Sequence, residues 1–214
     1  SLESFSNDLE KFNIKLETII SDETSFYSKL KTKDKISIYW NKVYEPDHLK
    51  LDKEIEKILE KKNIPFKSFK GNILNEYHSI TKNDGTPFKV FSPFWRNAEQ
   101  VFLDAVPQKT SEIKKLKSKK TLFNSKDNFK QIMPKKDWFK KFDQYWKPSE
   151  DEAHKNLKEF ISNRISKYGV DRDYPSINGS SRLSPFIRNG QIHVAAIYEK
   201  SSKDIKKNIS IRKY

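Results

Sequence analysis

Three hydroxyls and an arginine crowd into residues 180–184 of this chain, Ser180, Ser181, Arg182, Leu183 and Ser184, just after the turn dipeptide Asn178-Gly179. Serine hydroxyls and backbone N–H groups at a turn suit an oxyanion, and an arginine supplies the planar, permanently charged fork that phosphate favours. Three of the chain's six Arg, Arg172, Arg182 and Arg188, fall within 17 residues here. Two readings of the string stand side by side: an anion site, or two turn serines, a helix cap and a surface Arg.

The other side chains that could do chemistry are sparse. There is no Cys, so disulfides, thiolate catalysis and Cys-ligated metal are excluded and a reducing, cytoplasmic setting is expected. His48, His78, His154 and His193 stand far apart without metal-ligand spacing, so no metal site is expected. A net charge of +14 points to a polyanionic partner, although 37 of the 43 basic residues are Lys, which also fits a solvated surface. Between positions 109 and 147, 13 Lys face four acids, placing +9 of that charge in one tract. No apolar run approaches the ~18 residues of a membrane span, and no charged-then-apolar leader opens the chain.

The elements that must position residues 180–184 follow from periodicity. Leu2, Phe5, Leu9 and Phe12 recur at helical spacing. Residues 15–20 alternate as a short strand, and a brief helix is expected over 24–30, then a strand over 36–40. Pro46 suits the first turn of a helix running to about 62, with Leu51, Ile55, Ile58 and Leu59 on its dry face. A strand follows at 66–69, closed by Gly71. Alternating helices and strands imply an α/β unit with a parallel sheet. Beyond a turn at 83–85 and an aromatic cluster at 89–95, a short helix is expected through 103. The Lys-rich tract reads as a surface connector whose end is pinned by core packing of Trp138, Phe139, Phe142, Tyr145 and Trp146. Ser149 is expected to cap a helix over 150–168 that buries Ala153, Leu157, Phe160, Ile161 and Ile165, with Gly169 ending it at the left-handed C′ position. Asn189-Gly190 marks another helix stop.

These residues also carry a resemblance. The run Y-x3-R-D-x-P from Tyr168, followed by N-G-S-S-R-L-S-P-x-I-R-x-G from Asn178, resembles the start of the flavin-binding domain of the DNA photolyase and cryptochrome family. Y-W-N-K-V-Y-E-P at 39–46, F-K-V-F-S-P-F-W at 88–95 and W-K-P-S-E-D-E-A at 146–153 match in the family's order. The resemblance implies a partial α/β antenna domain over 1–82, with an incomplete Rossmann-like parallel sheet. A linker over 83–147 and the first helices of an all-α FAD-binding domain over 148–214 would follow. It implies that Tyr168 touches the flavin and that Ser180, Ser181, Arg182, Leu183 and Ser184 hold its diphosphate. Arg172 would contact DNA.

The activity implied is that of a deoxyribodipyrimidine photo-lyase, a light-dependent carbon–carbon lyase that splits cyclobutane pyrimidine dimers by electron transfer from reduced FAD. The substrate is damaged DNA and the protein is expected to be a monomer. A blue-light photoreceptor of cryptochrome type, with the same FAD site and no repair activity, is the alternative. A basic nucleic-acid-binding module without cofactor is a third reading. An antenna chromophore of folate or deazaflavin type is implied, but His48, preceded by Asp47, stands where folate-binding members carry an acidic residue. Ser180 replaces a common Thr, and His193-Val194 replaces Ser-Pro. The chain is expected to be an internal piece of a longer protein, inactive alone, with most of the flavin pocket beyond Tyr214.

Overall fold

The computed structural model describes residues 2–31, 36–102, 113–117, 121, 123 and 134–207. Much of the middle of the Lys-rich tract and the chain after Lys207 lie outside them. An α/β part comes first. It comprises α1 (Leu2–Glu10), α2 (Glu23–Lys29), β1 (Ile38–Asn41), α3 (Pro46–Lys61) and β2 (Phe66–Phe69). The strands pair in parallel, Ile38 opposite Phe66 and Asn41 opposite Phe69, and α3 is the crossover such pairing requires. A helical part holds α5 (Glu150–Asn163), α6 (Tyr168–Asp171), α7 (Ser184–Arg188) and α8 (Val194–Lys207), and α4 (Phe91–Phe102) lies between the two.

Sequence chemistry sets the element ends. Extended Glu45 precedes Pro46 at the first helical position of α3, where a missing N–H leaves nothing unpaired. At the far end Asn63 takes a left-handed φ of 52°, while the Ile64 amide reaches Leu59 O and the Asn63 amide reaches Glu60 O, each at 3.0 Å. That pair of bonds is a Schellman motif, and its hydrophobic contact is Ile64 on Leu59, both buried. The same closure ends α1 at Asn13 (φ 59°) and α7 at Gly190 (φ 70°), so Asn189-Gly190 is the helix stop its composition implies.

Leu59, fully buried, centres the α/β core with Ile55 and Ile64, packed by Tyr27, Leu30, Ile38, Trp40 and Phe66. A second core joins α5 to the helices after it: Ala153, Leu157, Leu183, Phe186, Ile192 and Ile197. Ser149 caps α5 by accepting from the Glu152 amide at 3.2 Å, as its sequence position implies.

Four expectations are corrected. Residues 15–20 are not in the sheet; their neighbour is the segment around 113–123, joined by the Asn13 amide side chain to Leu116 O at 2.7 Å and by the Phe123 amide to Glu17 at 3.2 Å. The helix expected to reach 168 stops at Asn163, and a 3-10 turn, Ile165–Lys167, separates it from α6. Gly169 therefore lies inside α6 and has no positive φ. Residues 137–142 form a 3-10 helix, and Trp138, Phe142 and Tyr145 are exposed, with Trp138 edge-on to Phe142; Trp146 alone among these aromatics packs on a core cluster.

The α/β and helical parts meet at Gly71 and Asn72. The Asn72 side chain donates to Ile187 O at 2.5 Å and accepts from the Val194 amide at 3.1 Å, so it ties the end of α7 to the start of α8. His193, immediately before α8, accepts from the Ala195 amide through Nδ1 at 3.1 Å. Its remaining ring proton then sits on Nε2, 3.3 Å from Gly71 O. His193 thus caps the helix where a serine was the expected residue. Behind it the Tyr44 hydroxyl donates to Glu76 at 3.0 Å and accepts from the Gly71 amide at 3.2 Å. Burial pushes this phenol above its ordinary range, with the Gly71 amide opposing and Glu76 adding to the rise. Asn72→Ala strips α8 of an amide acceptor supplied from outside the helix. It should lower stability by about 1–2 kcal/mol in denaturant unfolding and speed hydrogen exchange at Val194.

Candidate functional site

Residues 164–184 connect α5 to α7. The α5 helix ends because Arg164 leaves helical backbone, with φ −128°, while its amide still closes on Phe160 O. Phe160 is fully buried, and Tyr168 stands edge-on against it with ring centroids 5.7 Å apart. Tyr168 is half-buried, and the guanidinium of Arg172 lies 5.5 Å from its ring centroid. Arg172 also pairs with Asp173 at 3.5 Å. Ring and carboxylate hold this cation at the surface, a short distance from the start of the loop.

The chain then folds back over α6. A Cβ on Gly179 would lie 2.6 Å from the Asp171 carbonyl carbon and side-chain Cβ, so only glycine lets the loop pass this close. Beyond it burial alternates. Ser180 is exposed, Ser181 is buried, Arg182 is exposed, Leu183 is buried with 1% of its surface accessible, and Ser184 is exposed. Leu183 belongs to the α5–α8 core, so it offers a ligand only its backbone.

Arg182 sits between two buried neighbours with φ 53°, left-handed for a residue that carries a Cβ. Such a conformation costs about 1–2 kcal/mol and persists where surrounding packing over-determines it. Leu183 follows in right-handed helical conformation, φ −85° and ψ −13°. Successive residues of opposite hand can turn their amides toward a common point, the backbone nest that binds anions, and the amides concerned here would be those of Arg182, Leu183 and Ser184. Composition alone leaves residues 180–184 open between anion site and plain turn; this backbone conformation favours the anion. Tyr168 and Arg172 adjoin each other, and the packing of Gly179 on Asp171 brings the start of the 180–184 run against the same short helix. Asp47 and His48 lie in the first turn of α3, both exposed and paired with Lys50 and Glu45 at 3.4 and 3.6 Å.

Sequence reading missed Arg164. Its Nη1 donates to Ser180 O at 3.1 Å and Asn178 O at 3.4 Å, and its guanidinium lies 5.8 Å from the Phe160 ring centroid. The count of clustered Arg that singled out residues 172–188 stops short of it. Among the described residues no group of three or more His, Asp or Glu is placed to hold a metal ion, and no helix is long and apolar enough to cross a membrane.

Comparison with known proteins gives three findings. The sequence profile described as DNA photolyase matches residues 1–112. Two curated relatives named deoxyribodipyrimidine photo-lyase align with most of the chain. That of Agrobacterium fabrum is 29% identical over 177 residues, covering 81% of this chain and 36% of the relative. That of Alkalihalophilus pseudofirmus is 33% identical over 160 residues, covering 69% and 30%. The crystal structure of a bacterial class III photolyase from Agrobacterium tumefaciens superposes on all of this chain and 45% of its own, with a TM-score of 0.83 and 28% identity. The matched region thus spans between 30% and 36% of the length of these curated relatives.

Gly179→Ala forces its new methyl against the Asp171 backbone. The variant should unfold at lower temperature, a loss of about 1–3 kcal/mol, with amide shift changes concentrated at 171 and 178–184.

Proposed function

The chain belongs to the DNA photolyase family, and we propose that it contributes the first part of the FAD site of a light-driven DNA repair lyase acting on cyclobutane pyrimidine dimers. The observation that carries this reading is left-handed Arg182 followed by right-handed Leu183, a pairing that can build an anion nest where the family resemblance puts a diphosphate. The residues present fit the group. A dinucleotide cofactor presents two linked phosphates, and three amides, the hydroxyls of Ser180 and Ser184 and the Arg182 guanidinium match that acceptor-rich chemistry.

In this proposal Ser180, Ser181, Arg182, Leu183 and Ser184 hold the diphosphate, Leu183 through its amide. Tyr168 borders the flavin with its exposed edge. When bound, FAD supplies photochemical electron transfer to the dimer. This chain's own residues bind and orient. Phe160 fixes the Tyr168 ring edge-on, and Tyr168 in turn keeps Arg172 at the surface, where its charge is available to a DNA phosphate. A net charge of +14 supports a DNA partner by drawing the polyanion in and releasing its counterions.

The division into an antenna part over 1–82, a connector over 83–147 and a FAD-binding part from 148 belongs to the same proposal, as does action as a monomer. The two-stranded parallel sheet with its helices is consistent with the first of these. An antenna chromophore of folate or deazaflavin type would belong to the α/β part; His48 in place of an acid weighs against the folate type there. The names of the two curated relatives support repair over signalling.

The test is photorepair of a dimer-containing oligonucleotide by the full-length protein carrying this chain. Blue-light-dependent repair is expected, and Arg182→Gln should lower bound flavin about tenfold at limiting FAD, the effect of losing one charged hydrogen-bond donor. A protein that binds flavin and repairs nothing under blue light would overturn the repair reading in favour of a photoreceptor.

A further inference from the structure

We infer that Arg164 is a positioning residue for the phosphate loop, holding its peptide planes so that their amides face the ligand. The inference rests on the reading of residues 178–184 as a diphosphate site. Arg164 comes from the end of α5, fourteen and sixteen residues before the two carbonyls it binds. Its side chain is largely buried at 16% exposure, with Nη2 3.9 Å from Glu159 and the guanidinium plane near Phe160.

The bond to Ser180 O has a directional consequence. A trans peptide is planar, so its carbonyl oxygen and the next residue's N–H point opposite ways. With Ser180 O drawn toward Arg164, the Ser181 N–H, the amide immediately before those of the proposed nest, is aimed away from the guanidinium. The Asn178 carbonyl is drawn in by the same Nη1, while Gly179 passes so close to Asp171 that this part of the loop has no lateral freedom. Arg164 also places a permanent positive charge behind carbonyl oxygens that an anion would otherwise repel.

A stabilising role alone accounts poorly for this arrangement. Arg164 Nε is buried and makes no hydrogen bond among the described residues, which costs about 1–3 kcal/mol. A shorter apolar side chain could cover Phe160 without that cost. What it could not do is donate to two loop carbonyls, and those two bonds fix the peptide planes that lead into residues 182–184.

The test uses the 214-residue chain and inorganic pyrophosphate, followed by backbone amide NMR shifts. Pyrophosphate should shift the amides of Arg182, Leu183 and Ser184 in the wild type. Arg164→Met should weaken this binding about tenfold or more and speed exchange of the same amides, with α8 protection unchanged. Arg164→Lys, which keeps a donor within reach of the carbonyls, should restore affinity to within about threefold of wild type. If Arg164→Met loses α8 protection as well, Arg164→Leu carries the same expectation. A folded Met or Leu variant that binds like wild type overturns the inference while leaving the phosphate reading intact; a Lys variant as weak as the Met variant also overturns it. A wild-type chain whose loop amides ignore pyrophosphate overturns both.

Discussion

Leu183 cannot leave the core, and that single burial dictates the loop around it. Its side chain is packed among Leu157, Phe186, Ile192 and Ile197 with almost no surface left to water, a gain of about 1.5–3 kcal/mol. Ser181, two residues earlier, is buried too. Arg182, exposed between them, holds left-handed backbone at a cost of about 1–2 kcal/mol. The burial on either side is comparable to or larger than that cost, so the strained residue is stable. The change of hand from Arg182 to Leu183 is the kind from which an anion nest is built. Packing thus sustains the strain on which the proposed chemistry depends.

Around that anchor the rest of the chain acts as a set of clamps. Gly179 is pressed on Asp171, Arg164 grips two carbonyls, and Gly190 closes α7 behind the loop. Asn72 and His193 then fix α8 against the α/β part, so the helical part is registered on a neighbour with its own core at Leu59. One face of the small sheet stays open, with Tyr39 and Phe69 exposed and their rings 6.2 Å apart. The exposed Trp138, Phe142 and Tyr145 form a second aromatic surface of this kind.

Local signals in the sequence were legible where they act over a few residues. Helix α3, strand β2 and the Ser149 cap follow from periodicity, Pro46 and a hydroxyl before three acids, because each depends on neighbours close in the chain. Failures came where a distant partner decides. Residues 15–20 have the alternation of a strand but lie beside a segment about a hundred residues on. The 150–168 helix has unbroken apolar periodicity, yet it breaks at Arg164, whose side chain is committed to loop carbonyls. Gly169 looks like a terminator and sits inside a helix because the break came five residues sooner. Of the candidate site, the residue types of 180–184 were visible, and so was the family pattern. The left-handed Arg182 and the grip of Arg164 were not, since neither backbone hand nor a side chain-to-carbonyl bond leaves a mark in composition.

The central claim is that the backbone from Arg182 to Ser184 is a diphosphate cradle. It is tested most directly by a crystal structure of the full-length protein with FAD bound. The account predicts phosphate oxygens at about 3 Å from the amide nitrogens of Arg182, Leu183 and Ser184. A diphosphate seated elsewhere, with these three amides facing only solvent, would contradict it.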